Sequence, residues 1–65
     1  MNVVRDRIAR RAAALVAAGR EPDLHRAIRI AAETMGFAHG APLPSDGEVR
    51  RHLRGMAQES LGDAA

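Results

Sequence analysis

Hydrophobic and polar positions follow a helical repeat in three stretches of this 65-residue chain. In the first stretch, the large apolar side chains fall into one narrow stripe when residues are projected at about 100° per residue. They are Val4, Ile8 and Leu15. Asn2 precedes the stripe as an N-cap, and Gly19 follows it where the left-handed backbone of a helix end favours glycine. The pattern predicts a first helix from about Val3 to Ala18.

The second stretch predicts a helix from about Leu24 to Met35. Asp23 is its expected N-cap, and Gly36 takes the same closing position that Gly19 takes in the first helix. The apolar stripe consists of Leu24, Ile28, Ala31 and Met35. Ile30 does not belong to this stripe, because it projects about 120° away from it.

The third stretch has the clearest start. Ser45 and Glu48 are spaced as a capping box, in which each side chain bonds to the backbone N–H of the other residue. The apolar face that follows consists of Val49, Leu53, Met56 and Ala57. Leu61 lies to one side of that face, and residues 62–65 are expected to fray as a tail.

The segment between the second and third helices contains a glycine and two prolines, Gly40, Pro42 and Pro44. We expect this connection to be structured, with Phe37 and Leu43 folded back onto the core. The sequence therefore predicts an all-α fold: one small three-helix domain over residues 1–61 with a structured Pro/Gly-containing connection.

A domain of this size can form only a small hydrophobic core. A chain of 65 residues buries only about 60% of its unfolded surface, and alanine supplies much of the apolar content. Ile30 and Leu61 are large aliphatic residues off the main stripes, and exposed apolar surface often marks an interface. We expect a protein partner or a homo-oligomer, with these two residues as candidate interface. The alternative is that the small bundle itself covers them.

Arginine supplies all ten basic side-chain charges, since the chain has no lysine, and the formal net charge is only +2. The high isoelectric point reflects missing groups that would titrate below arginine. Two arginine clusters are candidate phosphate-binding sites, because guanidinium groups bind phosphate through paired hydrogen bonds. They are Arg50, Arg51 and Arg54 in the third helix and Arg7, Arg10 and Arg11 in the first. The alternative is an ordinary solvated face.

Specific recognition of nucleic acid receives less support. A helix-turn-helix motif needs a turn of about three or four residues, whereas about nine separate the second and third helices. Binding of single strands by base stacking needs aromatic side chains, and Phe37 is the only one in the chain.

Catalysis and metal binding are not expected. His25, His39 and His52 have no metal-ligand spacing and no cysteine to assist them, and His52 has Glu48 one turn away as an expected partner. No serine, histidine and aspartate arrangement suggests a nucleophile. We therefore expect no cofactor and a non-enzymatic chain.

The chain has no apolar run of the length that a signal peptide or a bilayer span requires. A cytoplasmic location is the expectation. The arginine-rich and alanine-rich composition would suit a GC-rich bacterial genome.

Two segments resemble a short helical module of uncharacterised proteobacterial proteins, some of them labelled nucleotidyltransferase-like. The first segment runs from Asp23 through Ala32 to Met35 and Gly36, and the second runs from Leu43 to Val49. Together they cover about a third of the chain. The resemblance implies a shared helical fold and an association with proteins that handle nucleic acid. It does not imply nucleotidyl transfer, because that chemistry needs metal-binding carboxylates on a sheet.

Overall fold

The computed structural model describes residues 2–37 and 40–64, with side chains described for residues 2–37 and 40–58. It contains three helices: α1 (Val3–Ala17), α2 (Leu24–Thr34) and α3 (Asp46–Ala64). No strand occurs in the described ranges. The predicted all-α, three-helix fold is confirmed.

The expected N-caps open the first two helices. The Asn2 side chain accepts a hydrogen bond from the backbone N–H of Arg5 at 3.1 Å. The Asp23 side chain accepts from the backbone N–H of His25 at 2.9 Å. Each bond satisfies a backbone donor that has no partner inside its own helix, so both starts are set by local sequence.

Glycine closes α1 and α2 as expected. The N–H of Gly19 donates to the carbonyl of Val16, and the N–H of Arg20 donates to the carbonyl of Leu15, both at 3.0 Å. These two bonds, with φ of 73° at Gly19, form a Schellman motif. The same pattern closes α2, where Gly36 has φ of 83°. Both helices end one residue earlier than predicted.

The capping box of α3 forms only in part. The backbone N–H of Glu48 donates to Oγ of Ser45 at 3.3 Å. The Glu48 carboxylate instead binds Arg5 of α1, so its predicted return to Ser45 is wrong. At its other end α3 continues to Ala64, through residues 62–64 of the expected tail.

The core is small and rich in alanine. Nine hydrophobic residues of the described part are buried, and six of them are alanines: Ala9, Ala12, Ala13, Ala27, Ala31 and Ala32. Ile8, Ile28 and Val49 are the other three. Helix α1 is the central element, because it packs closely against both other helices while α2 and α3 touch each other only slightly.

The connection between α2 and α3 lies partly on this core. Phe37 and Ala41 pack against it, and Pro44 is buried. Leu43, however, is 52% exposed, so its predicted contact with the core is wrong. Pro44 takes the inward position, and its neighbour Leu43 faces solvent.

Among the described side chains of α3, Val49 is the large one that is fully buried. We predict that Val49→Ala lowers the free energy of unfolding by about 2–3 kcal/mol, because it removes two buried methyl groups and leaves a cavity. Thermal unfolding followed by circular dichroism measures this. The matched control is Val3→Ala, since Val3 is 65% exposed. Equal effects of the two substitutions would contradict the assignment of Val49 to the core.

Candidate functional site

A polar groove of about 470 Å³ runs between the N-terminal part of α1 and the first turns of α3. Six polar or charged residues line it: Asn2, Arg5, Asp6, Glu48, Arg51 and His52. Four of these side chains form two pairs across the helix interface. The groove therefore serves first as the polar junction between α1 and α3.

Arg5 and Glu48 form the stronger pair. Nε of Arg5 donates to one carboxylate oxygen of Glu48 at 3.0 Å, and a terminal guanidinium nitrogen lies 2.5 Å from the other oxygen. This two-bond geometry matches the fork of the guanidinium to the carboxylate. Glu48 also lies in the first turn of α3, where the helix dipole favours a negative charge. The pair holds the start of α3 against α1.

His52 and Asp6 form the second pair, with 3.0 Å between Nε2 of His52 and a carboxylate oxygen of Asp6. The expected partnership of His52 with Glu48 is therefore wrong. Glu48 and Asp6 each contact a residue of the neighbouring helix. The spacing of residues along a single helix cannot predict such contacts between helices.

A third pair joins α2 to α3. Nε2 of His25 lies 3.4 Å from one carboxylate oxygen of Asp46. The other oxygen of Asp46 is buried and has no hydrogen-bond donor among the described residues. Most of the His25 side chain is exposed, so this contact contributes little to stability. Nothing in the sequence pointed to Asp46 as a contact residue beyond its place at the start of a helix.

The six candidate arginines are all exposed, and none pairs with a carboxylate whose side chain the structure describes. They do not line a single site. Arg51 alone among them lines the polar groove, and Arg11 lies in a separate hollow at the C-terminal end of α1. Although α1 and α3 pack together, the described grooves do not join the two clusters.

The candidate interface residues have different outcomes. Ile30 is half-buried but is not among the described residues that pack against the core. The side chain of Leu61 lies outside the described residues. Sequence reasoning missed Val3 and Leu43, which are the exposed large aliphatic residues of the described part.

No group of three histidine, aspartate or glutamate side chains converges within the described ranges. His39 lies outside them. No helix in this part of the chain combines the length and hydropathy needed to cross a bilayer. Comparison with family models, curated proteins and solved structures finds no match to this chain.

A double-mutant cycle measures the coupling across the groove. We predict a coupling energy of about 0.5–1 kcal/mol between Arg5→Ala and Glu48→Ala, the upper range for pairs that keep some exposure. Chemical denaturation of the wild type, both single variants and the double variant gives this value.

The matched control cycle uses Arg29 and Glu33, which are both exposed. They lie four residues apart on α2, where such a pair contributes at most a few tenths of a kcal/mol. Equal coupling in the two cycles would show that the Arg5–Glu48 bridge does not hold α3 in place.

Proposed function

We propose that this chain is a non-catalytic helical module that binds another protein, with a second copy of itself as the first partner to test. One observation carries the proposal. The chain exposes 4730 Å², whereas a compact monomer of 7.0 kDa is expected to expose about 4000 Å². A partner could cover part of this excess surface of about 700 Å².

The excess has a physical origin in the packing. Of the side chains that the structure describes, Ile8 and Val49 are the largest that are fully buried. Ile28 is buried as well, but the remaining large apolar residues that pack against the core are only half-buried: Val4, Leu15, Val16, Leu24, Met35, Phe37, Leu53 and Met56. Complete burial of one such side chain is worth about 1.5–3 kcal/mol. A partner that covered part of this surface would add stability that the domain lacks alone.

The arrangement of the helices keeps that surface open. Helix α3 has 19 residues and α2 has 11, so at 1.5 Å per residue α3 is longer by roughly 12 Å. Because α2 and α3 make few contacts with each other, α2 covers little of α3. The molecule is elongated, with principal extents of 42, 26 and 18 Å.

Contact with phosphate groups of nucleic acid is the second candidate. Four carboxylates pair with Arg5, Arg26, His25 or His52: Asp6, Glu21, Asp46 and Glu48. Of the ten arginines, only Arg5 and Arg26 pair with a described carboxylate. The outward surface is therefore more basic than the formal charge of +2 suggests. The resemblance to a module of uncharacterised proteobacterial proteins, some of them labelled nucleotidyltransferase-like, favours this candidate too.

Self-association is tested at Ile30. We predict that the wild-type chain sediments at high micromolar concentration with a mass above 7.0 kDa. Ile30→Glu should weaken the assembly about tenfold or more, because an unpaired charge is costly in an interface. At protein concentrations where both chains are monomeric, the variant should keep the melting temperature of the wild type, since Ile30 does not pack against the core and the stabilising effect of assembly is then absent from both.

Ala17→Glu is the matched control, because it adds the same charge at an exposed position of α1. A monomeric wild type would contradict self-association. A photoreactive side chain at position 30 would then test for a foreign partner, and failure to capture any protein in cells would contradict protein binding.

Phosphate contact is tested by salt dependence. If Arg50, Arg51 and Arg54 each neutralise one phosphate, the log–log plot of duplex affinity against salt should have a slope of about −2 to −3. The dissociation constant should be about 10⁻⁴ to 10⁻⁶ M. Changing all three residues to glutamine should remove most of the slope, which fluorescence anisotropy measures.

Melting temperature is the control for folding, and it should not change because all three arginines are exposed. The same change at Arg7, Arg10 and Arg11 shows which cluster is responsible. Absence of binding by the folded protein at about 50 mM salt would dispose of this candidate.

A further inference from the structure

We propose that a shallow hollow at the C-terminal end of α1 binds an acidic segment of a protein partner, in which an apolar side chain is flanked by carboxylates. The inference rests on the proposed function and names the chemistry of the partner. The hollow has a volume of about 350 Å³. Five residues line it: Arg11, Ala14, Leu15, Ala18 and Arg20.

The fold builds this hollow on a rigid support. Arg11, Leu15 and Ala18 follow one another at spacings of four and three residues, so they share one flank of α1. Arg20 lies beyond the helix, but its backbone N–H is bonded to the carbonyl of Leu15 at 3.0 Å. The Schellman motif thus fixes the backbone of Arg20, from which the second guanidinium extends.

The floor of the hollow is apolar. Ala14 and Ala18 are exposed and Leu15 is half-buried, so a hydrophobic side chain placed here would cover surface that now faces water. The aliphatic stems of Arg11 and Arg20 can extend this apolar contact while their charged ends remain in solvent.

The rim of the hollow is positively charged. No acidic residue lines it, and neither Arg11 nor Arg20 pairs with a carboxylate of the described residues. The last carbonyl groups of a helix carry partial negative charge that would disfavour an anion. Here the carbonyls of Leu15 and Val16 already accept hydrogen bonds from Arg20 and Gly19, which leaves the two guanidiniums as the dominant charges.

This combination favours carboxylates over nucleic acid. A single-stranded polynucleotide binds largely by stacking its bases on aromatic side chains, and the lining residues include none. A volume near the lower limit of ligand sites, about 300 Å³, suits one or two side chains. The polar groove between α1 and α3 lacks this character, because Asp6 and Glu48 lie in it and would repel an acidic segment.

The test is a titration of the ¹⁵N-labelled full chain with a capped pentapeptide that has a central leucine between two pairs of glutamates. Two-dimensional NMR spectra report the binding site residue by residue. We expect saturable shifts at the backbone amides of residues 11–20 and at the side-chain N–H groups of Arg11 and Arg20. Peptides with serine for leucine, or with glutamine for all glutamates, should bind more weakly.

Matched variants distinguish binding at this hollow from general attraction of the peptide to positive charge. The double change Arg11→Gln with Arg20→Gln should raise the dissociation constant about five- to tenfold, as expected for the loss of two exposed ion pairs. The control removes the same charge at Arg50 and Arg54, which are also exposed, and should change binding less than about twofold. The same spectra show whether each variant remains folded.

Three outcomes would overturn the inference. They are the absence of a saturable shift, shifts of equal size around Arg50 and Arg54, and stronger binding of a short oligothymidylate to the same amides. Assembly measured at position 30 is independent of these results. A chain that assembles but does not bind the peptide would overturn only the inference. If the peptide binds but the photoreactive side chain at position 30 captures no protein, the result would count against the proposed function.

Discussion

Alanine at the contact of α1 with α2 is the constraint on which the rest of the structure depends. Side chains of this size let two helices approach closely, and six of them fill the buried positions. The same choice limits stability, because alanine buries far less apolar area than leucine or isoleucine. Ile8, Ile28 and Val49 therefore carry a large share of the hydrophobic stabilisation, and the other large apolar side chains lie at the edge of the core.

The attachment of α3 shows the consequence most directly. Val49 is the only residue of α3 in the buried cluster of the described residues, and polar pairs at Glu48, His52 and Asp46 supplement it. Pairs that keep contact with water contribute little each. They can nevertheless select one arrangement of helices, because a sliding or rotation of α3 would separate several charged groups together. The polar pairs therefore determine where α3 lies more than they raise the free energy of unfolding.

Features set by near neighbours in the chain could be predicted from the sequence. The caps at Asn2 and Asp23 and the glycine closures depend on residues within one turn, so they could be identified without tertiary contacts. The pairs of Arg5 with Glu48 and His52 with Asp6 could not, because they join residues more than forty positions apart. Leu43 shows the same limit: no helical repeat extends through the connection, so nothing in the sequence indicated which of its side chains would face inward.

The distribution of charge connects this architecture to function. Acidic side chains are drawn into contacts between elements, as Glu48 and Asp46 are at α3, whereas most arginines remain on the outside. A net charge of +2 therefore describes the molecule poorly at the distances over which a partner makes contact, since salt screens exposed charges beyond about 10 Å.

The kind of partner that can bind at an exposed arginine depends on which residues lie beside its guanidinium group. Beside Arg51 lie carboxylates of the polar groove, whereas beside Arg11 and Arg20 lies an apolar floor. Residues of identical charge thus present two different chemistries, and the second is the one that we propose as the contact for a protein segment.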